Sequence, residues 1–178
     1  LSIDVTSNSG LYVVQIDPVN GTTVFNTVTN SVGATLNGMG YRSTDNFIYG
    51  VNPSTYDMQL YRLGSDGVAQ ALGVPLDIIL FNNFYYAGDV TPDGRYLVLL
   101  GQGSFMTPKG VLAFVDLDHP LYQVTNVELN PYFPGIYDIA FDPYTGELYG
   151  FSTGNSVLVK IDPVTGAVDG SFPPQPQV

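Results

Sequence analysis

The chain has 178 residues, 44% of them apolar and 12% charged, with 16 acidic side chains against 5 basic ones and a net charge of −11. That is enough chain for one domain with a sizeable core and too apolar for a disordered tail. Such a charge repels nucleic acid and anionic membrane surfaces, and the lack of cysteine removes disulfides, thiolate metal sites and cysteine nucleophiles.

The 13 Tyr and 10 Phe, with abundant Val and Thr, favour pleated half-buried surfaces, and no long run has helical apolar spacing. The chain is therefore expected to be all-β. Leu1 to Ser7 alternates apolar and polar residues and reads as a strand, followed by an Asn8-Ser9-Gly10 turn. Leu11 to Ile16, the Asp17-Pro18-Val19-Asn20-Gly21 turn and Thr22 to Val28 complete a partial unit over 1–30, whose innermost strand is missing. A start at Leu1 rather than Met reads as a mature, trimmed or partial chain, and no run reaches the length of a membrane span.

A second unit over 37–72 has strands at Gly38–Arg42, Asn46–Val51, Met58–Leu63 and Val68–Leu72. A third, over 85–130, has Tyr85–Val90, Arg95–Leu100, Gly110–Asp116 and Gln123–Leu129, with Thr91-Pro92-Asp93-Gly94 as its first turn. The fourth, over 136–172, is the most regular, with Ile136–Phe141, Glu147–Phe151, Val157–Ile161 and Ala167–Phe172. Its turns Asp142-Pro143-Tyr144-Thr145-Gly146 and Asp162-Pro163-Val164-Thr165-Gly166 share one design. Pro presets the first corner, Asp bonds the backbone two residues on, and Gly takes the positive-φ exit.

Four strands joined by tight turns make an antiparallel meander, and meanders recurring every 50 residues or so are the signature of propeller blades. Tyr49-Gly50 recurs at Tyr149-Gly150, and Tyr12–Asp17, Leu60–Gly64, Leu112–Asp116 and Leu158–Asp162 recur in phase. The expected fold is a β-propeller of four-stranded blades, about four of them visible and the first incomplete. An ordinary β-sandwich with repetitive turns is the alternative. Gly73–Phe84 is apolar enough to pack over the core or against a neighbour, Gly101–Lys109 reads as a loop, and 173–178 is a Pro-rich linker.

Gly38-Met39-Gly40-Tyr41, the run from Tyr86 to Gly94, Val111 to Asp116 and the run from Asp138 to Gly150 resemble, in this order, a bacterial β-propeller family of unknown function. The resemblance covers nearly the whole chain and implies a domain of large secreted or cell-surface proteins, beside immunoglobulin-like or adhesive modules. Its motifs are structural and bring no catalytic residues. Such propellers usually carry more blades than are visible here, so the ring is expected to be truncated, unusually small or completed by another chain, and an open one leaves bare sheet edges. A strand from another chain filling blade 1 would give head-to-tail assembly into a surface fibre or filament.

Candidate chemistry is sparse. The single histidine, His119, sits with Asp116 and Asp118 in one turn, where a polar turn is weighed against a metal site; no HExxH or Gly-x-Ser-x-Gly motif occurs. No catalytic or metal residues are assigned, and the chain reads as a non-enzyme without cofactors, with calcium held by scattered carboxylates as the one exception left open. Aligning the inner strands on Tyr41, Val90 and Phe141 places Gly40, Asp89 and Ala140 at one level and Gly38, Ala87 and Asp138 at another. Asn37, Tyr86, Asp89, Tyr137 and Asp138 are the candidate channel-mouth site for a glycan or peptide, set against the reading that they satisfy backbone at the axis. Asn20-Gly21-Thr22 is a sequon on an exposed turn, making Asn20 a candidate glycosylation site. The functional expectation is an extracellular structural or adhesive module whose partners are neighbouring copies or flanking modules, with a lectin-like domain as the alternative.

Overall fold

A computed structural model describes residues 9–52, 58–75, 84–102, 110–131 and 135–171. The described strands form one two-stranded and three four-stranded antiparallel sheets, each paired in sequence order. Blade 1 holds β1 (Leu11–Ile16) and β2 (Thr23–Thr29); blade 2 holds β3 (Asn37–Arg42), β4 (Phe47–Val51), β5 (Leu60–Leu63) and β6 (Ala69–Gly73). Blade 3 holds β7 (Phe84–Val90), β8 (Tyr96–Gln102), β9 (Gly110–Asp116) and β10 (Val124–Glu128). Blade 4 holds β11 (Ile136–Phe141), β12 (Leu148–Ser152), β13 (Val157–Ile161) and β14 (Val168–Asp169). The inner strands β3, β7 and β11 pack side by side, as the radial arrangement of a β-propeller requires.

The expected strand at Leu1–Ser7, most of the Gly73–Phe84 and Gly101–Lys109 segments, and the 173–178 linker lie outside the described residues. The outer strand of blade 4 is shorter than the Ala167–Phe172 run. After Asp169 the chain leaves the sheet, because the Asp169 carboxylate accepts the Ser171 N–H at 2.9 Å and closes a turn.

The Asp-Pro turns behave as their residues dictate. In blade 4 Asp142 Oδ1 accepts the Tyr144 N–H at 2.8 Å, the Asp142 carbonyl accepts the Gly146 N–H at 2.8 Å, and Gly146 exits at φ 73°. Asp162 repeats this with the N–H groups of Val164 and Gly166, and Asp17 with those of Val19 and Gly21. Gly166 is doubly required: a Cβ there would stand 1.9 Å from the Glu128 carbonyl oxygen, where blade 4 meets the end of blade 3.

The core lies between blades. Because side chains alternate along a strand, each sheet has a leading face turned to the blade before it and a trailing face turned to the blade after it. Tyr49, Val51 and Leu60 on the trailing face of blade 2 pack with Leu97, Leu99, Ala113 and Val115 on the leading face of blade 3. Val98, Leu100 and Leu112 behind them pack with Leu148, Val159 and Ile161 of blade 4. Leu11 packs with Val32, Leu36 and Leu63 where blade 1 meets blade 2.

Candidate functional site

The inner strands set the geometry of the mouth. Gly40, Asp89 and Ala140 stand opposite Tyr49, Val98 and Tyr149 of the neighbouring strand, so all three occupy one level. From that level each residue faces forward to the next blade. The three residues differ, and so do the seams they make.

Between blades 2 and 3 the backbones touch. A Cβ on Gly40 would lie 2.2 Å from the Val90 nitrogen, and one on Gly88 would lie 2.6 Å from the Gly38 carbonyl carbon. Neither neighbour is a side chain end that can move aside. Between blades 3 and 4 the forward residue is Asp89 and the backward one is Ile139. Asp89 Oδ1 accepts the Val90 N–H at 2.8 Å, and Oδ2 crosses the seam to accept the Phe141 N–H at 2.8 Å. Burial raises the Asp89 carboxyl above its ordinary range; the two N–H bonds oppose that, and the charge of Asp138 adds to it.

Asn37 and Asp138 use the same local device, accepting the N–H of the following residue at 3.0 Å each. Tyr137 and Asp138 are exposed, as is Tyr86, and both lie within the bulge of β11 between Ile136 and Ile139. The structure thus brings Asp138 within electrostatic reach of Asp89 but turns the Asp89 carboxylate into the seam rather than outward.

The His119 turn is held by its own bonds. His119 Nδ1 accepts the Leu121 N–H at 3.2 Å, and Asp116 binds Arg95 at 3.0 Å. Asp118 reaches across the seam to Arg42 of blade 2, which also holds Asp45 at 3.1 Å. Partial burial pushes the Asp116 carboxyl up, but the Arg95 partnership and the Asp118 N–H together outweigh it and hold the carboxyl below its ordinary range. Among the described residues no three His, Asp or Glu side chains converge as a metal site, and no helix is long and apolar enough to cross a membrane. Asn20 is exposed between β1 and β2, its Oδ1 accepting the Thr22 hydroxyl at 2.7 Å.

Sequence reasoning found the level shared by Gly40, Asp89 and Ala140 but not the bond from Asp89 to blade 4. The signal was an acid where the repeat otherwise carries Gly or Ala.

With blades, seams and mouth described, the class of protein is a β-propeller repeat. The sequence matches a family described as a repeat of unknown function, DUF6923, over residues 2–177, and the chain belongs to that family. A search of curated proteins finds no match. A solved chain from a nidogen/laminin complex is similar at 12% identity and TM-score 0.55, covering 89% of this chain and 54% of that one. A chain of Kuenenia stuttgartiensis hydrazine synthase is similar at 13% identity and TM-score 0.52, covering 89% of this chain and 47% of that one. The chain therefore spans about half the length of these solved chains, and at such identities the likeness is one of fold.

Proposed function

We propose that the chain is a non-enzymatic structural or adhesive module of an extracellular, cell-surface protein, with neighbouring copies or flanking modules as its partners. The observation that carries this reading is the use made of Asp89. The Asp89 carboxylate, raised by burial, binds two backbone N–H groups of adjacent blades and so serves cohesion. Blade repetition and the acidic, cysteine-free composition support the same reading. An antibody raised against the folded module should label intact cells of the source organism. Labelling that appears only after permeabilisation would overturn the extracellular assignment.

The module works without a bound cofactor in this reading, so EDTA should leave its Tm unchanged. A rise of several degrees on adding calcium would return the scattered carboxylates to consideration. A second reading, a glycan- or peptide-binding mouth, is favoured by one observation: the inner strands leave Tyr137 56% and Tyr86 40% exposed, and Asp138, next to Tyr137 in the chain, is exposed as well. Glycan and peptide arrays probed with the chain and with Tyr137→Ala/Asp138→Ala separate the two. Binding lost in the double variant would support the mouth, and no binding by either form would leave the structural reading.

A further inference from the structure

One side-chain pair recurs at the same level of each four-stranded blade, between a residue near the start of the second strand and one on the third. In blade 4 it is the ion pair of Glu147 with Lys160. In blade 3 it is Tyr96 against Phe114, two rings packed edge to face with centroids 6.0 Å apart. In blade 2 it is Phe47 with Arg62, whose guanidinium carbon lies 4.8 Å from the ring centroid. Register makes the three equivalent. Arg62, Phe114 and Lys160 pair with Tyr49, Val98 and Tyr149, which lie two residues after Phe47, Tyr96 and Glu147.

In blade 2 the acids around this level are replaced. Phe47 stands in place of Glu147, and Gln70, paired with Arg62, stands in place of Asp169, paired with Lys160. The Asp that follows Val115 and Ile161 becomes the Gly64 that follows Leu63. Arg62 is thereby left without an acid in a chain of net charge −11: among the described residues Arg42, Arg95 and Lys160 each bind a carboxylate, and Arg62 binds none. It is nonetheless held in place. Its Nε donates to Gln70 Oε1 at 2.9 Å, and the Phe47 ring lies against the guanidinium plane's carbon. That leaves the two terminal nitrogens of the fork to a ligand.

Where the acids are missing there is a cavity of about 350 Å³, lined by Phe47, Arg62, Gly64, Asp66, Val68 and Gln70. That is the lower end of the roughly 300–1,000 Å³ of small-molecule sites and suits one sugar ring. A Cβ on Gly64 would stand 3.1 Å from Phe47 Cε1 and 3.3 Å from Asp66 Oδ1, so even a methyl group there would crowd the lining. Asp66 Oδ1 accepts the Val68 N–H at 3.1 Å, which leaves Oδ2 to accept from a hydroxyl. The Gln70 amide, its oxygen on Arg62, keeps its NH₂ to donate. We propose that this cavity binds a hexuronic acid residue, with the carboxylate on Arg62, ring hydroxyls on Asp66 and Gln70, and the apolar side of the ring against Val68. A single carboxylate matches the planar fork, whereas the double charge of a phosphate is opposed by Asp66 in the same cavity. The inference goes beyond the proposed function and does not rest on it, since the cavity is the same wherever the chain resides.

Saturation-transfer NMR of the 178-residue chain with sodium glucuronate should show transfer to the sugar at millimolar concentration, and none to glucose under the same conditions. Gln70→Glu is the decisive variant. It is nearly isosteric at an exposed position, and it puts a carboxylate where blade 4 has Asp169, so that Arg62 is answered from within the chain. Glucuronate binding should weaken 10-fold or more in Gln70→Glu and in Arg62→Gln, with unchanged circular dichroism showing that both remain folded. Should Arg62→Gln unfold, Gln70→Glu alone carries the test. No transfer to glucuronate, equal transfer to glucose, or binding that persists in Gln70→Glu would each overturn the site. Inorganic phosphate that displaces glucuronate at equal concentration would overturn the assignment of a carboxylate ligand.

Discussion

At the seam between β3 and β7 two backbones lie in contact, while at the next seam, between β7 and β11, a carboxylate and an isoleucine stand between them. The same repeat position makes both. Gly40 faces forward with no side chain and Gly88 faces back to meet it, so blades 2 and 3 close to the distance their peptide groups permit. One blade later Asp89 replaces the forward glycine and Ile139 the backward one. The strands stand off, and the Phe141 N–H, which the wider gap would leave unpaired, is met by Asp89 Oδ2 at 2.8 Å. The two seams solve one problem, burial of inner-strand backbone, by exclusion in one case and by hydrogen bonding in the other.

The largest effect should come from forcing the first solution toward the second. In an ordinary strand Gly→Ala stabilises by roughly 0.5–1 kcal/mol. At Gly40 the added carbon meets the Val90 nitrogen at 2.2 Å, and Gly40→Ala should instead cost about 3 kcal/mol, the upper end of overpacking. Urea unfolding would show this as a lower midpoint at constant slope. An unchanged or raised midpoint would mean that the blades separate freely and that contact is not what holds this seam.

Removing the second solution should cost less. Asp89→Ala leaves the N–H groups of Val90 and Phe141 without their acceptor and should destabilise by about 2 kcal/mol, within the range for orphaned buried donors. Asp89→Asn keeps one acceptor oxygen but turns an NH₂ toward the other N–H, so it should fall between wild type and Ala. Should Asp89→Ala be neutral, the seam has collapsed to the Gly40 arrangement, and the two blade contacts are interchangeable.

Acidity distinguishes the seams further. The folded Asp89 carboxyl lies above its unfolded value, chiefly through burial, so its contribution to stability is full below the ordinary carboxylate range and is lost as pH rises through the folded value. Asp142 and Asp162, whose carboxylates accept turn N–H groups, are lowered; their contribution is present above the ordinary range and is lost as pH falls through their folded values. The whole protein therefore need not gain stability in acid. The stability of wild type minus that of Asp89→Asn isolates the seam and should grow as pH falls through the Asp89 value. A difference that shrinks on acidification would show that the seam favours the ionised form.

These particulars show why much of the fold was legible and the site was not. Asp142, Gly146, Asp162 and Gly166 announce their turns locally, because their bonds run two to four residues along the chain. Strands such as Gly110–Asp116 and Val157–Ile161 match their apolar runs end to end for the same reason. The role of Asp89 depends on a nitrogen 52 residues away, and that of Arg42 on a carboxylate 76 residues away. Aligning the blades gave the level of Asp89, and only the packing of one blade on the next gave its direction. Phe151 teaches the converse: its repeat position reads as core, and the absence of a covering blade among the described residues leaves it exposed.

The smallest effect is expected where the repeat position has no neighbour among the described residues. Ala140 shares the level of Gly40 and Asp89 but is exposed on the free side of β11. With no backbone among the described residues pressed against it, the choice between Ala and Gly there is governed by chain entropy, and Ala140→Gly should cost only about 0.5–1 kcal/mol. Urea unfolding of Ala140→Gly beside wild type makes the measurement. A cost there near that of Gly40→Ala would mean that Ala140 already bears on something within its own chain.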